Sequence, residues 1–300
     1  MKNRLSVSIV IPALNEESNI FVLVETLLKQ KVSDIFLVDQ IVVISDGSTD
    51  NTVGALNNIK STKLHIDDFS IRKGKAYRLE QFIKTVKTDL VVQVDADLII
   101  KDNDFLENLL EPFNDKKVGM VGANSIPLEP RTFVGKAINS SFRPYCELRD
   151  YYRSLSVGPA LAYTSQLAKK IKFPKQIIGE DIFAFFTCLS NGYEYKYVKL
   201  AKVYIGIPEN LSDHIAQNVR FMKSPSLMKK YFSRELVEQE DYISKKHFIY
   251  YMGKEVLMHP VSALYIFLLN RYCRLLANRE KDKIEDTWII SQSTKLKGSK

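Results

Sequence analysis

Three short apolar runs, each ending in a polar cluster, constrain this chain most. "VSIVIP" (7–12), "IVVIS" (41–45) and "LVVQV" (90–94) are rich in β-branched residues and read as strands buried on both faces. Between them, residues 17–30 and 74–86 repeat apolar side chains at helical spacing, with Ser18 and Asp50 as candidate caps. "VGMVG" (118–122) is a shorter strand candidate and "KLHI" (63–66) a weaker one. This alternation predicts an α/β fold, a mostly parallel central sheet with helices on both faces. Ligands of such sheets bind beyond the carboxyl ends of the strands. "PALNEE", "DGSTDNT" and "DAD" all fall there.

The last cluster is the most demanding. In extended backbone Asp95 and Asp97 point the same way across Ala96, and two like charges on one face repel. Either they are loop aspartates, one capping the next helix, or Mg²⁺ or Mn²⁺ supplies the missing charge. Such hard cations take carboxylate oxygens and fill their shells with substrate phosphates. Asp46, in "DGSTD", sits at a strand end, in a tight turn or facing a base or ribose. "RKGKAYRL" (72–79) gathers cations around Gly74, as a solvated helix start or with Lys75 facing a phosphate. Glu180 and Asp181 open a helix, where the dipole favours carboxylates; facing a cleft, one could act as a general base. Neither GxxxxGK[ST] nor GxGxxG occurs.

Beyond about residue 125 the pattern is mixed. "GKAINSSFRPYCELRDYYRSL" looks helical, and "GPALAYTSQLAKKI" (158–171) reads as a loop running into a helix. "GEDIFAFFTCLSNG" (179–192) reads as a helix closed by Gly192. Cys146, Cys188 and Cys273 lie far apart, which suits a reducing compartment and argues against a disulfide framework or zinc site. The opening residues lack the apolar run of a signal peptide, so a cytoplasmic location is expected. The net charge is +8, and residues 245–300 hold 11 Lys/Arg against 5 Asp/Glu. They include "VLMHPVSALYIFLL" (256–269), whose 14 residues fall short of the ~20 a spanning helix needs. The segment reads as a buried helix with a basic tail, or as an amphipathic stretch resting peripherally on the inner face of an anionic membrane. No nucleic-acid motif accompanies the charge, so no nucleic-acid partner is expected.

"VSIVIPALNEE", "VVISDGSTDNT", "KGKA", "VVQVDADL", "GPALAYTSQL", "GED" and "QNVRF" occur in the order and at about the spacing of family 2 glycosyltransferases, which this chain resembles over roughly residues 5–225. The resemblance implies a GT-A, Rossmann-like nucleotide-diphospho-sugar transferase fold. Its domain would span 1–235, a nucleotide-sugar half to about 125 and an acceptor half after it, with 236–300 a helical basic and apolar extension. It also implies metal-dependent inverting transfer of a hexosyl or N-acetylhexosaminyl group from a nucleotide-diphosphate sugar, most commonly a UDP-sugar, to a saccharide or lipid-linked acceptor.

Carried over by position, Pro12, Ala13, Asn15, Glu16, Asp46 and Ser48 would line the nucleoside pocket, with Lys75 near it. Asp95 and Ala96 would contact the donor, and Asp97 with Asp95 the Mg²⁺ or Mn²⁺. Asp181, preceded by Glu180, would be the catalytic base, and Gln217 and Arg220 would bind the donor. Polymer-forming members carry Gln-x-x-Arg-Trp where this chain has Phe221, and continue into several spanning helices. Their absence favours transfer of one sugar or a few. Two other readings compete. A sugar nucleotidyltransferase would begin with a glycine-rich loop where this chain has "PALNEE". A catalytically silent sugar-nucleotide-binding scaffold would dock through the basic C-terminal segment.

Overall fold

The computed structural model describes residues 4–175 and 177–279. In chain order the elements are β1 (Leu5–Ala13), α1 (Ile20–Leu28), β2 (Phe36–Asp46), β3 (Leu64–Phe69), α2 (Lys75–Thr85), β4 (Leu90–Val94), β5 (Leu98–Ile99), α3 (Phe105–Leu110), β6 (Val118–Pro127) and α4 (Phe133–Leu148). There follow β7 (Ala160–Thr164), α5 (Ser165–Ala168), α6 (Glu180–Ser190), β8 (Glu194–Ile205), α7 (Leu211–Met228), α8 (Arg234–Asp241), α9 (Lys245–Met258) and α10 (Pro260–Arg279). The strands form one sheet in the order β3-β2-β1-β4-β7-β6-β8-β5.

Strands β3, β2, β1 and β4 pair in parallel, as the alternating pattern predicts. The direction then reverses, because β7 runs antiparallel to both β4 and β6, so the sheet as a whole is mixed. Residues 160–164, expected as loop, form this inserted strand, and all five pair with β4. "ALAYT" is buried along most of its length and shows no polar alternation, so a short apolar run there could not be told from the start of a helix. "DGSTDNT" departs from expectation too: Asp50 accepts a hydrogen bond from the Thr52 N–H at 3.0 Å, and only a single 3₁₀ turn follows at Gly54–Leu56. Asn19, rather than Ser18, occupies the cap position of α1.

Alternation along the central strands divides the core in two. Ile9, Ile11, Val92 and Val94 face α1 and α3 through Leu23, Leu27, Leu106 and Leu109. Val10 and Val91 face the opposite layer, formed by Leu79, Phe82 and Ile83 of α2 with Phe185 and Phe186 of α6. Gln93 is buried in the second layer, where the Tyr163 hydroxyl donates to its Oε1 at 2.9 Å. Tyr163→Phe should therefore leave a buried amide oxygen without its donor and cost about 1–3 kcal/mol in denaturant melts. A change within error would show that Gln93 re-pairs.

Only three residues separate β4 from β5, yet β5 pairs with the end of β8, at the far end of the strand order. Three extended residues reach only ~11 Å. The sheet therefore curls, helped by register shifts in the β6–β8 pair, until its last strand returns beside the tip of β4.

The run 256–269 is broken at His259 between α9 and α10 and is not one buried helix. Ile266 is buried, but Leu257 is 85% exposed and Val261 also faces solvent. Packing explains this: α10 lies on α4 and α7, which cover one of its faces. Between α7 and α10 the His214 ring, Asn218 and Asn270 form a hydrogen-bonded trio, and burial holds the imidazole pKa below its ordinary value. Among the described residues no helix is long and apolar enough to cross a membrane.

Candidate functional site

At the carboxyl end of β4 the chain leaves extended geometry. Asp95 N–H donates to the Pro159 carbonyl at 2.9 Å, and Ala96 and Asp97 turn the chain into β5. The two aspartates are thus on a turn, and the same-face expectation for extended backbone does not apply.

The positive charge beside Asp95 comes from the chain itself. Lys75, the first residue of α2, places its Nζ 2.5 Å from Asp95 Oδ1 and 2.5 Å from Glu180 Oε1. The sequence reading put Lys75 near the nucleoside; the structure seats it between two carboxylates. Burial pulls the ammonium pKa down, but both carboxylates outweigh it and hold Lys75 charged, above its ordinary range. For Glu180 burial works upward, and Lys75 with Arg220 overcomes it, so its pKa is lowered. Asp95 is pushed up to about 6 by burial, against the pull of Lys75 and with further upward pressure from Asp97 and Glu180. Asp181 is likewise raised to about 6, by burial first and then by Glu180.

Gly179 sets this corner. Its φ of 81° lies in the left-handed region, and a β-carbon there would stand 2.9 Å from Ile182 Cγ2. Glu180 and Asp181 follow as the first turn of α6, where the helix dipole favours anions, and Asp181 Oδ1 accepts the Ile182 N–H at 2.8 Å. Ser224 of α7 would lie 3.3 Å from that β-carbon, so α7 borders the same corner. Its half-buried Arg220 carries a guanidinium 5.5 Å from the Phe221 ring, and Gln217 lies one turn earlier. Lys75, Asp95, Glu180, Asp181 and Arg220 are thus brought together.

The nucleoside-side candidates form a second group at the same sheet edge. Asp46 accepts from the backbone N–H groups of Lys73 and Gly74 and from Arg78 Nε at 2.7 Å. Gly74, with φ 94°, permits the turn that aims both amides at one carboxylate. Asn15 has φ 57°; its N–H donates to Ser48 Oγ, and its Oδ1 accepts the Thr49 N–H at 2.7 Å. Glu16 is buried, its N–H donating to Thr52 Oγ1 and its carboxylate accepting from Asn19. Pro12 and Ala13 end β1 beside them. Arg78 is the residue that sequence reasoning missed. It is buried, stacks 3.7 Å from the Phe69 ring centroid and also donates to the Ile71 carbonyl. The signal was present in "KGKAYR", since Arg78 lies one helical turn beyond Gly74.

Among the described residues no cluster of three or more His, Cys, Asp or Glu could hold a metal by itself. Asp95 is committed to Lys75, and Asp97 adds a carboxylate at the turn. That donor set fits Mg²⁺ or Mn²⁺ bound together with a diphosphate, since these cations keep few protein ligands and complete their shells from phosphates and water.

Comparison with known proteins places the fold in a class. A mannosyltransferase from Pyrobaculum calidifontis, solved with GDP-Man and Mn²⁺, superposes with a TM-score of 0.60 at 18% identity, over 92% of this chain and 76% of its own. Glucosyl-3-phosphoglycerate synthase from Mycobacterium tuberculosis, solved with Mn²⁺, UDP-glucose and glycerol 3-phosphate, gives 0.52 at 19% identity over 75% and 79%. The fold is that of the GT-A glycosyltransferases. Residues 8–161, just over half the chain, match Glycosyl transferase family 2, and the chain belongs to that family. A poly-beta-1,6-N-acetyl-D-glucosamine synthase of Staphylococcus aureus (strain COL) is 29% identical over 207 residues, 65% of this chain and 50% of the relative. The chain thus spans about half the length of such curated relatives.

Proposed function

We infer that the protein transfers a sugar from a nucleotide-diphosphate donor to an acceptor hydroxyl, with inversion at the anomeric carbon. The observation that carries this reading is the meeting of Lys75, Asp95 and Glu180 with Asp181 at the carboxyl edge of a GT-A sheet. Supporting it, the solved neighbours are named as complexes with UDP-glucose or GDP-mannose and Mn²⁺.

Asp181 takes the proton from the acceptor hydroxyl as its oxygen attacks; the bond from the anomeric carbon to the diphosphate breaks on the opposite face. A carboxylate with pKa near 6 is ionised at neutral pH yet basic enough to accept that proton. Lys75 holds Asp95 and Glu180 in place around the donor and Arg220 faces the same corner. Asp46 and the loop it anchors, with residues 12–16 and Ser48, form the nucleoside side. Asp97, with Asp95 beside it, would hold Mg²⁺ or Mn²⁺, which as a Lewis acid stabilises the leaving diphosphate. The acceptor is a saccharide or lipid-linked hydroxyl.

Calorimetry tests the donor site. UDP is expected to bind at least about tenfold tighter with Mn²⁺ than with a chelator, because the diphosphate supplies most of the metal's ligands. Absence of binding by UDP, GDP and dTDP in both conditions would sink the reading.

A further inference from the structure

Helices α9 and α10 run one after the other along α4, and α10 is apolar on two opposite sides. Ile266, Cys273 and Ala277 share one face of α10 and are buried against α4 and α7. Leu264, Leu268 and Leu275 share the opposite face and are 62%, 57% and 55% exposed. Leu257 and Val261 extend that stripe across the break at His259. A helix that is apolar all round is normally covered all round, and a contiguous exposed stripe of this length marks an interaction surface.

The charges identify the covering. Every exposed charged side chain described on α9 and α10 is basic: Lys245, Lys246, Lys254, Arg271 and Arg274. Lys254 is paired with Glu147 of α4, while the one acidic residue of α9 and α10, Glu255, is buried against Arg143. A second copy seated symmetrically on the stripe would bring two like-charged sets together, which disfavours it. An anionic surface gains from the same charges, and long basic side chains can lay their stems on an apolar layer while their heads reach phosphates. Arg271 lies on the exposed face within the stripe, so α10 suits lying flat rather than crossing.

We propose that α9 and α10 seat the protein on an anionic lipid bilayer, with Leu257, Val261, Leu264, Leu268 and Leu275 entering the headgroup boundary. This surface is independent of the donor-site reading. Through α10 it bears on α7, the helix that carries Arg220 to the candidate site.

Vesicle co-sedimentation of the full chain tests it. The protein is expected to sediment with vesicles of phosphatidylcholine and phosphatidylglycerol, far less with phosphatidylcholine alone, and less as salt is added. The double substitution Leu264→Glu, Leu268→Glu should lower partitioning at least about tenfold. Both positions are exposed, so the melting temperature and UDP affinity should stay as in the wild type. Three outcomes would overturn membrane seating: a wild type that sediments with neither vesicle, a double variant that sediments equally well, or a lipid-free dimer that the same substitutions dissociate. Vesicle binding without nucleotide binding would instead retain this surface and reject the donor site.

Discussion

Asp181→Asn is expected to lower transfer by about 10²–10⁴-fold while leaving UDP binding close to wild type. The amide keeps an oxygen for the Ile182 N–H, so local geometry survives, but it cannot accept the acceptor's proton. The same change should stabilise the fold. Asp181 has a folded pKa raised from 3.8 to about 6, so between those values the native state binds more protons than the unfolded chain. Stability contributed by the protonated group is present below pH ~4 and is lost as pH rises through about 6. Asparagine does not titrate, so its advantage should grow across that window to about 3 kcal/mol at neutral pH. Denaturant melts at several pH values read this directly. In the wild type, kcat/KM should fall as pH drops through about 6. Near-normal activity in the variant would remove Asp181 from the base role.

Lys75→Met should be the most damaging single change in the site. It leaves Asp95 and Glu180 buried without their cation, and breaking a buried pair from one side costs about 3–5 kcal/mol. The melting temperature should fall on the order of 10 °C at neutral pH. The sign with pH follows from Glu180, whose lowered pKa contributes stability above its unfolded value and loses it as pH falls. Removing Lys75 takes that contribution away and raises both carboxylates. The deficit should therefore be largest above about pH 6 and shrink near pH 4, where the carboxylates protonate and no longer need a partner. A deficit independent of pH would mean that packing of the lysine stem, rather than charge, is what was lost.

The parallel half of the fold was legible because its strands are buried on both faces and separated by amphipathic helices. The reversal at residues 160–164 was not, since "ALAYT" carries no periodicity that separates strand from helix, and pairing with β4 across about seventy residues decides it. The ordered loops put Asp46, Asp95 and Asp97 at one sheet edge, and the family resemblance added Asp181. What partners each carboxylate was hidden. Sequence chemistry asked for a cation beside Asp95 and supplied a metal; the fold also brings Lys75 from a separate helix. Arg78 looked like one more cation in a basic stretch, and only its burial under Phe69 marks it as the anchor of Asp46. The apolar run 256–269 falls short of a span by its length, but neighbouring helices decide which of its faces are covered.

The curl of the sheet has a consequence for how the site comes into being. The Asp95–Asp97 turn is held on one side by the Pro159 carbonyl and β7, and on the other by the pairing of Leu98 and Ile99 with Ile205 and Tyr204. A chain emerging from the ribosome presents both aspartates more than a hundred residues before their last fastening is made. Pairings so distant in sequence form late, because loop closure must be met before any contact rewards it. The acidic turn therefore acquires its working geometry only when the second half of the protein has folded around it.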